Sequence, residues 1–149
     1  MAIVTDHADA IRTLIHRYAE LLDLGDLDGV AALFARSTWR AAGHEVVLRG
    51  SAEARAAYEG VILYDGVPRT KHQMTNVTIE LARDESTAAA RTYFTVLQAT
   101  PELPLQPIIA GRYEDAFARD DAGWYFTDRL IIPDLLGDLS RHMQPAFMP

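Results

Sequence analysis

Apolar positions follow two different periods along this chain. Ile11, Leu14, Ile15, Tyr18 and Leu22 fall three or four residues apart, which lines one face of an α-helix, and Arg12, Arg17 and Glu20 take the opposite face. Residues 1–5 read as a loose leader. Thr5 or Asp6 can cap the helix, which is expected to run to about Leu24 and stop near Gly25. Asp26 can cap a second, short helix through Val30, Leu33 and Phe34. Two short strands are expected at Thr38–Ala41 and Glu45–Arg49 around a turn at Gly43. Ser51 is the expected cap of an Ala-rich helix from Ala52 to about Gly60.

From Thr70 the period changes to two. Val77, Ile79 and Leu81 alternate with Asn76, Thr78 and Glu80, so Thr70–Leu81 reads as a long strand. Thr87–Ala99, Ile108–Arg119 and Trp124–Ile132 follow as three more, rich in β-branched and aromatic residues. Polar or proline-bearing turns separate them, and Pro133 is expected to end the last. The segment after it carries Leu135, Leu136, Met143 and Phe147. It is too apolar for water, so the tail from Asp134 to Pro149 is expected to pack on the body or on a second subunit.

Helices first and then a run of antiparallel strands predict an α+β fold. It is a cone-shaped α+β barrel, with a curved antiparallel sheet closed by the N-terminal helices. A cone has an interior, and concave apolar interiors bind small molecules. With 149 residues and no repeat or linker, one domain over residues 1–149 is expected.

Composition narrows the function classes. A net charge of −7 argues against nucleic acid and anionic membrane surfaces as partners. The absence of Cys removes disulfide and thiolate chemistry. No basic segment followed by an apolar run opens the chain, and no apolar stretch approaches about 18 residues. A cytoplasmic location is expected by default. His7, His16, His44 and His142 lack the spacing of metal ligands, and no Gly-rich phosphate loop or Gly-x-Ser-x-Gly elbow occurs. Neither metal nor cofactor is expected.

Chemistry concentrates on His72, at the start of the first long strand, and Asp23, at the end of the first helix. His is the one side chain whose unperturbed pKa lies near neutrality. Two geometric conditions attach to the pair. Tyr18 and Asp23 are five residues apart, about 140° around a helix, so they share no face unless the helix end unwinds. Strand parity sets His72 with Asn76, Thr78 and Glu80 and against Val77 and Ile79. For His72 to face an apolar interior, the cavity must take that face, or a bulge near Gln73–Thr75 must change the phase.

The order of elements, with these residues, resembles the SnoaL-like branch of the nuclear transport factor 2-like superfamily. Three stretches carry the resemblance. One is Ile11-x-x-Leu14-x-x-x-Tyr18 with Leu22-Asp23-x-Gly25-Asp26, leading to Leu33-Phe34. The next is His72-x-x-x-Asn76-Val77-x-Ile79. The last is Gly111-Arg112-Tyr113-Glu114-Asp115 with Gly123-Trp124-Tyr125-Phe126 and Arg129. The superfamily includes scytalone dehydratase, bile-acid 7α-dehydratase, hexachlorocyclohexane dehydrochlorinase, ketosteroid isomerases, polyketide cyclases and limonene epoxide hydrolase. It also includes transport factors without catalysis, so the fold alone does not give the function.

The resemblance implies a His–Asp pair of the dehydratase and dehydrochlorinase kind, with Asp23 and His72 at the matching positions. Tyr18 matches a Tyr that joins the pair in the bile-acid dehydratase branch, and Arg129 matches an Arg that acts there. The implied activity is a cofactor-independent lyase, a dehydratase acting on a small hydrophobic cyclic hydroxy-ketone or hydroxy-enone, polyketide- or steroid-like. Isomerisation or cyclisation by the same proton transfers is the alternative. A non-catalytic ligand-binding or dimerisation module is another, and it predicts that His72 and Asp23 do not touch or that no pocket opens between them. The usual family assembly is a homodimer, with a trimer as runner-up.

Each residue also has a plainer reading. His72 can be a satisfied structural group, Asp23 a helix-end carboxylate and Tyr18 a core residue. Arg129 can pair with Glu114 or Asp115 on the neighbouring strand. Trp39, Tyr58, Tyr93 and Tyr113 are expected to bind substrate, and Asn76 to donate to it. Aromatics at such positions also serve as core, and Asn76 can simply satisfy backbone.

Overall fold

The computed structural model describes residues 6–149. The leader expected over residues 1–5, Thr5 included, lies outside the described residues. Asp6 caps helix α1 (His7–Asp23), its carboxylate accepting the Asp9 N–H at 2.7 Å. The helix closes before Gly25, whose φ of +77° is the left-handed conformation that glycine adopts without strain. Asp26 caps α2 (Leu27–Leu33) in the same way, accepting the Gly29 N–H at 2.8 Å. Then follow β1 (Thr38–Ala41), β2 (Val47–Arg49), α3 (Gly50–Ala57), β3 (Thr70–Leu81), β4 (Thr87–Gln98), β5 (Gln106–Asp120) and β6 (Gly123–Leu136). A 3-10 turn at Pro145–Phe147 closes the chain.

Several boundaries differ from expectation: β2 begins at Val47 rather than Glu45, α3 ends at Ala57 rather than near Gly60, and β5 begins at Gln106 rather than Ile108. Helix α3 begins at Gly50 rather than after Ser51. The Glu53 carboxylate takes the Arg49 N–H at 2.7 Å, so the first turn is held from within rather than by a serine cap. Strand β6 continues through Pro133 to Leu136. Pro133 lies beyond the last β1 pair, Ala41 with Ile131, and beside a register shift against Gly111, where a missing N–H is tolerated.

All six strands form one sheet in the order β2-β1-β6-β5-β4-β3. The antiparallel expectation holds for the long strands and for β1 with β2, but β1 runs parallel to β6, so the sheet is mixed. The crossover that parallel pairing needs is supplied by the whole of the chain between them. The result is the α+β fold with N-terminal helices against a curved six-stranded sheet. No helix among the described residues is long and apolar enough to cross a membrane.

Packing divides the interior into a filled end and an open end. Ile11, Ile15, Val30, Phe34, Phe117 and Phe126 are fully buried and fill the space between α1, α2 and the far ends of β5 and β6. From Tyr18 onward, α1 also lines a cavity, through Tyr18 and Leu22. The segment after β6 covers the side of that cavity. Met143 bridges to Val61, Gln144 donates its N–H to the Gly60 carbonyl at 2.8 Å, and Phe147 lies against Gly60.

Candidate functional site

The cavity has a volume of about 370 Å³ and walls from α1, β1, the sheet interior and the C-terminal segment. His72 reaches it because of one extra residue in β3. Between Thr75 and Thr78 two β3 residues, Asn76 and Val77, stand opposite the single Thr92 of β4. Asn76 takes φ +51°, the left-handed conformation that Asn tolerates better than most side chains. Thr70, His72 and Met74 therefore face inward before the bulge, and Val77 and Ile79 face inward after it. The phase change lies just after the Gln73–Thr75 stretch where sequence parity called for one.

Asp23 and His72 meet at the edge of this cavity. Asp23 Oδ1 lies 2.6 Å from His72 Nδ1, and Oδ2 accepts the backbone N–H of His72 at 2.8 Å. The Thr70 hydroxyl donates to Oδ1 at 2.8 Å. Burial alone would raise the Asp23 pKa. The bonds from the His72 ring and backbone and from Thr70 outweigh it, so the carboxyl sits below its usual range and is ionised at neutral pH. An ionised carboxylate only accepts, so Nδ1 carries a proton, and in the neutral form of the ring Nε2 holds the free lone pair. Both side chains are nearly buried, at 4% exposure for His72 and 10% for Asp23, which shields the contact from water.

Helix α1 stays helical through Asp23, so Tyr18 and Asp23 keep their divergent directions. The imidazole closes the gap. It is bonded to Asp23 on one side, and its ring stands edge-on to Tyr18 at 6.4 Å between centroids. Tyr18 ends a short chain of donors: Trp39 Nε1 donates to the Tyr58 hydroxyl at 3.1 Å, and Tyr58 donates to the Tyr18 hydroxyl at 3.2 Å. That leaves the Tyr18 proton at the end of a polarised chain. Burial pushes the Tyr58 and Tyr113 hydroxyls well above the ordinary phenol value, so both stay protonated.

The structure separates the other expected residues. Trp39, Tyr58 and Tyr113 line the cavity with Tyr18 and His72. Tyr93 does not: it alternates with the inward Thr92 and Phe94 and is 44% exposed on the outer face of β4. Nor does Asn76, which points outward at the bulge and serves the backbone turn. Arg129 faces inward but lies beneath the cavity floor. Its guanidinium sits 4.2 Å from the centroids of both Tyr18 and Tyr113, and it makes paired 2.8 Å bonds to Asp115 directly across from it on β5. Burial works against both charges. The pull of Asp115 outweighs it for Arg129, whose pKa is raised, while burial raises Asp115 despite its partner. Arg129 is thus a buried structural ion pair that supports two wall tyrosines.

One lining residue was passed over in the sequence. His142, in the C-terminal segment, lines the cavity with its ring 6.4 Å from that of His72. Burial, with His72 nearby, lowers its pKa to about 4, so it is neutral at neutral pH. A histidine beside the apolar Met143 was the available signal, but nothing in the sequence placed that segment over the cavity.

A curved sheet closed by N-terminal helices around an apolar cavity is the nuclear transport factor 2-like, cystatin-like fold. Within it, the chain belongs to the SnoaL-like domain family, whose profile matches residues 4–130. No curated protein matches the sequence. Among solved structures, a protein from Novosphingobium aromaticivorans provisionally assigned as a scytalone dehydratase is 23% identical, with TM-score 0.71 over 88% of this chain and 86% of that one. An NTF2-like protein with a cystatin-like fold from the same organism is 22% identical, with TM-score 0.71 over 96% and 89%. A protein of unknown function with a cystatin-like fold from Nostoc punctiforme is 19% identical, with TM-score 0.73 over 93% and 99%. At these identities the likeness is one of fold.

Proposed function

We propose that the protein is a cofactor-independent lyase that removes water from a small, hydrophobic, cyclic β-hydroxy ketone or hydroxy-enone. The observation that carries this reading is the 2.6 Å contact between Asp23 and His72 Nδ1 at the wall of an apolar cavity. A module that only binds ligand has little use for a carboxylate that fixes one imidazole tautomer.

In the proposed reaction His72 Nε2 takes the proton from the carbon beside the carbonyl. The C–H electron pair becomes the C=C bond of an enolate, and Asp23 stabilises the imidazolium that forms. The enolate reforms its carbonyl as the β C–O bond breaks. The departing hydroxyl takes the proton from His72, water leaves, and the imidazole returns to its starting state. Tyr18, at the end of its donor chain, bonds the leaving oxygen or the enolate oxygen. Isomerisation or cyclisation would start from the same proton abstraction. Whether the ligand carries a leaving group beside the acidic C–H decides between them.

The test is exchange in heavy water. Cyclic β-hydroxy ketones and enones are incubated with the protein and C–H loss is followed by NMR. The expected result is exchange or water loss in the wild type that disappears in His72→Ala and in Asp23→Asn. Exchange that persists in His72→Ala removes the dyad from the reaction.

A further inference from the structure

The C-terminal segment holds His142 in place through bonds to β4 and to the segment between α3 and β3. The Arg141 carbonyl accepts the buried Gln98 side chain at 3.0 Å and the Tyr64 hydroxyl at 2.7 Å. The His142 carbonyl accepts the Ile62 N–H at 2.8 Å, and its own N–H bonds Leu139. The side chain is 6% exposed and lines the cavity, yet Nδ1 is buried without a hydrogen-bond partner. Nδ1 has too little accessible surface to meet a ligand, so the nitrogen available to the cavity is Nε2, which carries the ring proton when Nδ1 is left as the buried lone pair.

We propose that His142 contacts the substrate, its ring N–H bonding the carbonyl oxygen that becomes the enolate oxygen while Tyr18 bonds the departing hydroxyl. This assignment rests on the elimination proposed above. It deepens it by assigning each of the two oxygen functions that flank the acidic carbon to its own hydrogen-bonding residue. The rings of Tyr18 and His142 each lie 6.4 Å from that of His72, so the base has an oxygen-binding group within reach on each count. The neutral state of His142 suits the task, because a neutral imidazole donates a hydrogen bond to an enolate without handing over its proton. No proton is consumed or left behind: the one that His72 takes from carbon still departs with the water.

The probe pair is 1,3-dihydroxynaphthalene and 1-naphthol. In the first, two hydroxyls flank C2 as the carbonyl and hydroxyl flank the acidic carbon of a β-hydroxy ketone; the second keeps one. Titration of the full chain by Trp fluorescence and calorimetry is expected to show the diol binding about tenfold tighter than 1-naphthol to the wild type. In His142→Leu the ratio should fall to about one, with 1-naphthol affinity changed less than about threefold. His142→Gln, which keeps an N–H donor, should retain most of the preference. Nitrogen-15 imidazole spectra of the wild type should show the His142 ring nitrogens shifting on addition of the diol, a readout that does not depend on any variant folding. A tenfold preference retained in folded His142→Leu, a wild-type ratio near one, or unmoved His142 resonances would each overturn the assignment. His72→Ala should keep the diol preference, because binding needs no base. Failure of the lyase reading therefore shows in exchange, and failure of this one in the binding ratio.

Discussion

Asp23 holds both ends of His72, accepting the ring Nδ1–H with one oxygen at 2.6 Å and the backbone N–H with the other at 2.8 Å. The strand and the ring are thus fixed by one carboxylate, so a change there tests geometry and chemistry together. Asp23→Asn keeps the shape, but its amide can present only one acceptor oxygen. We expect exchange or turnover to fall by about 10²–10⁴-fold, as for loss of general base catalysis. Stability should fall by about 1–3 kcal/mol for the unmade buried bond. Rates from NMR and unfolding in urea check the two parts separately.

Stability should fall with acid in two stages. His142 has a folded pKa of about 4 against 6.5 for the free side chain, so the unfolded chain binds more protons between those values. The folded state should lose roughly 3 kcal/mol as pH drops from about 6.5 to about 4. Asp23 is lowered below 3.8, so its contribution persists through that window and is lost only as pH falls through its folded pKa. The groups facing His142 are His72 and Asp23. Unfolding midpoints across pH for the wild type and His142→Leu check this. An unchanged slope between pH 6.5 and 4 in the variant would contradict it.

The β3 bulge depends on a residue that accepts a positive φ. Asn76→Val should cost about 1–2 kcal/mol, because a β-branched side chain is strained in the left-handed region. Asn76→Gly should be nearly neutral. Deleting Asn76 removes the bulge and leaves His72, Met74, Val77 and Ile79 on one face of a strictly alternating strand. Phase alone therefore predicts that proton exchange survives in the deletion as in Asn76→Gly; its loss in the deletion only would show that the bend of the bulge, and not the phase, positions His72.

Removing one member of the buried ion pair should be worse than removing both. Asp115→Ala leaves the Arg129 charge uncompensated beneath Tyr18 and Tyr113, where Nη1 already lacks a hydrogen-bond partner. The expected cost is about 3–5 kcal/mol. Arg129→Met with Asp115→Leu should recover much of it. Chemical denaturation of the singles and the double measures the coupling.

Gly60 should resist even alanine. A Cβ there would stand 2.2 Å from Phe147 Cγ, so Gly60→Ala must displace the C-terminal turn that covers the cavity. We expect a loss of about 1–3 kcal/mol from overpacking. Faster amide exchange at Gln144, whose N–H bonds the Gly60 carbonyl, reports the displacement directly.

Much of this architecture was readable before any coordinates. The apolar period of Ile11, Ile15, Tyr18 and Leu22 specified α1, Asp6 and Asp26 marked two helix starts, and the alternation from Thr70 onward specified the long strands. Those signals are local. They follow from which residues cap, branch or alternate, and tertiary packing here agreed with them. The contact of Asp23 with His72 was legible only through resemblance, since no local rule links a helix end to a strand 49 positions later.

What the sequence could not decide was the face and company of each side chain. The extra residue at Asn76 sets the phase of His72, and a bulge is fixed by pairing with β4 rather than by any motif. Tyr93 and Tyr113 look alike as strand tyrosines, yet parity sends one outward and the other into the wall. Arg129 was equally suited to a ligand or to Asp115, and cross-strand register chose Asp115. His142 looked like one of several stray histidines until the chain after β6 folded back over the cavity. Helices and strands are dictated by interactions within a few residues, so the sequence by itself determined them. The cavity wall is built from residues far apart in the chain, and only their joint packing decided which of them meet.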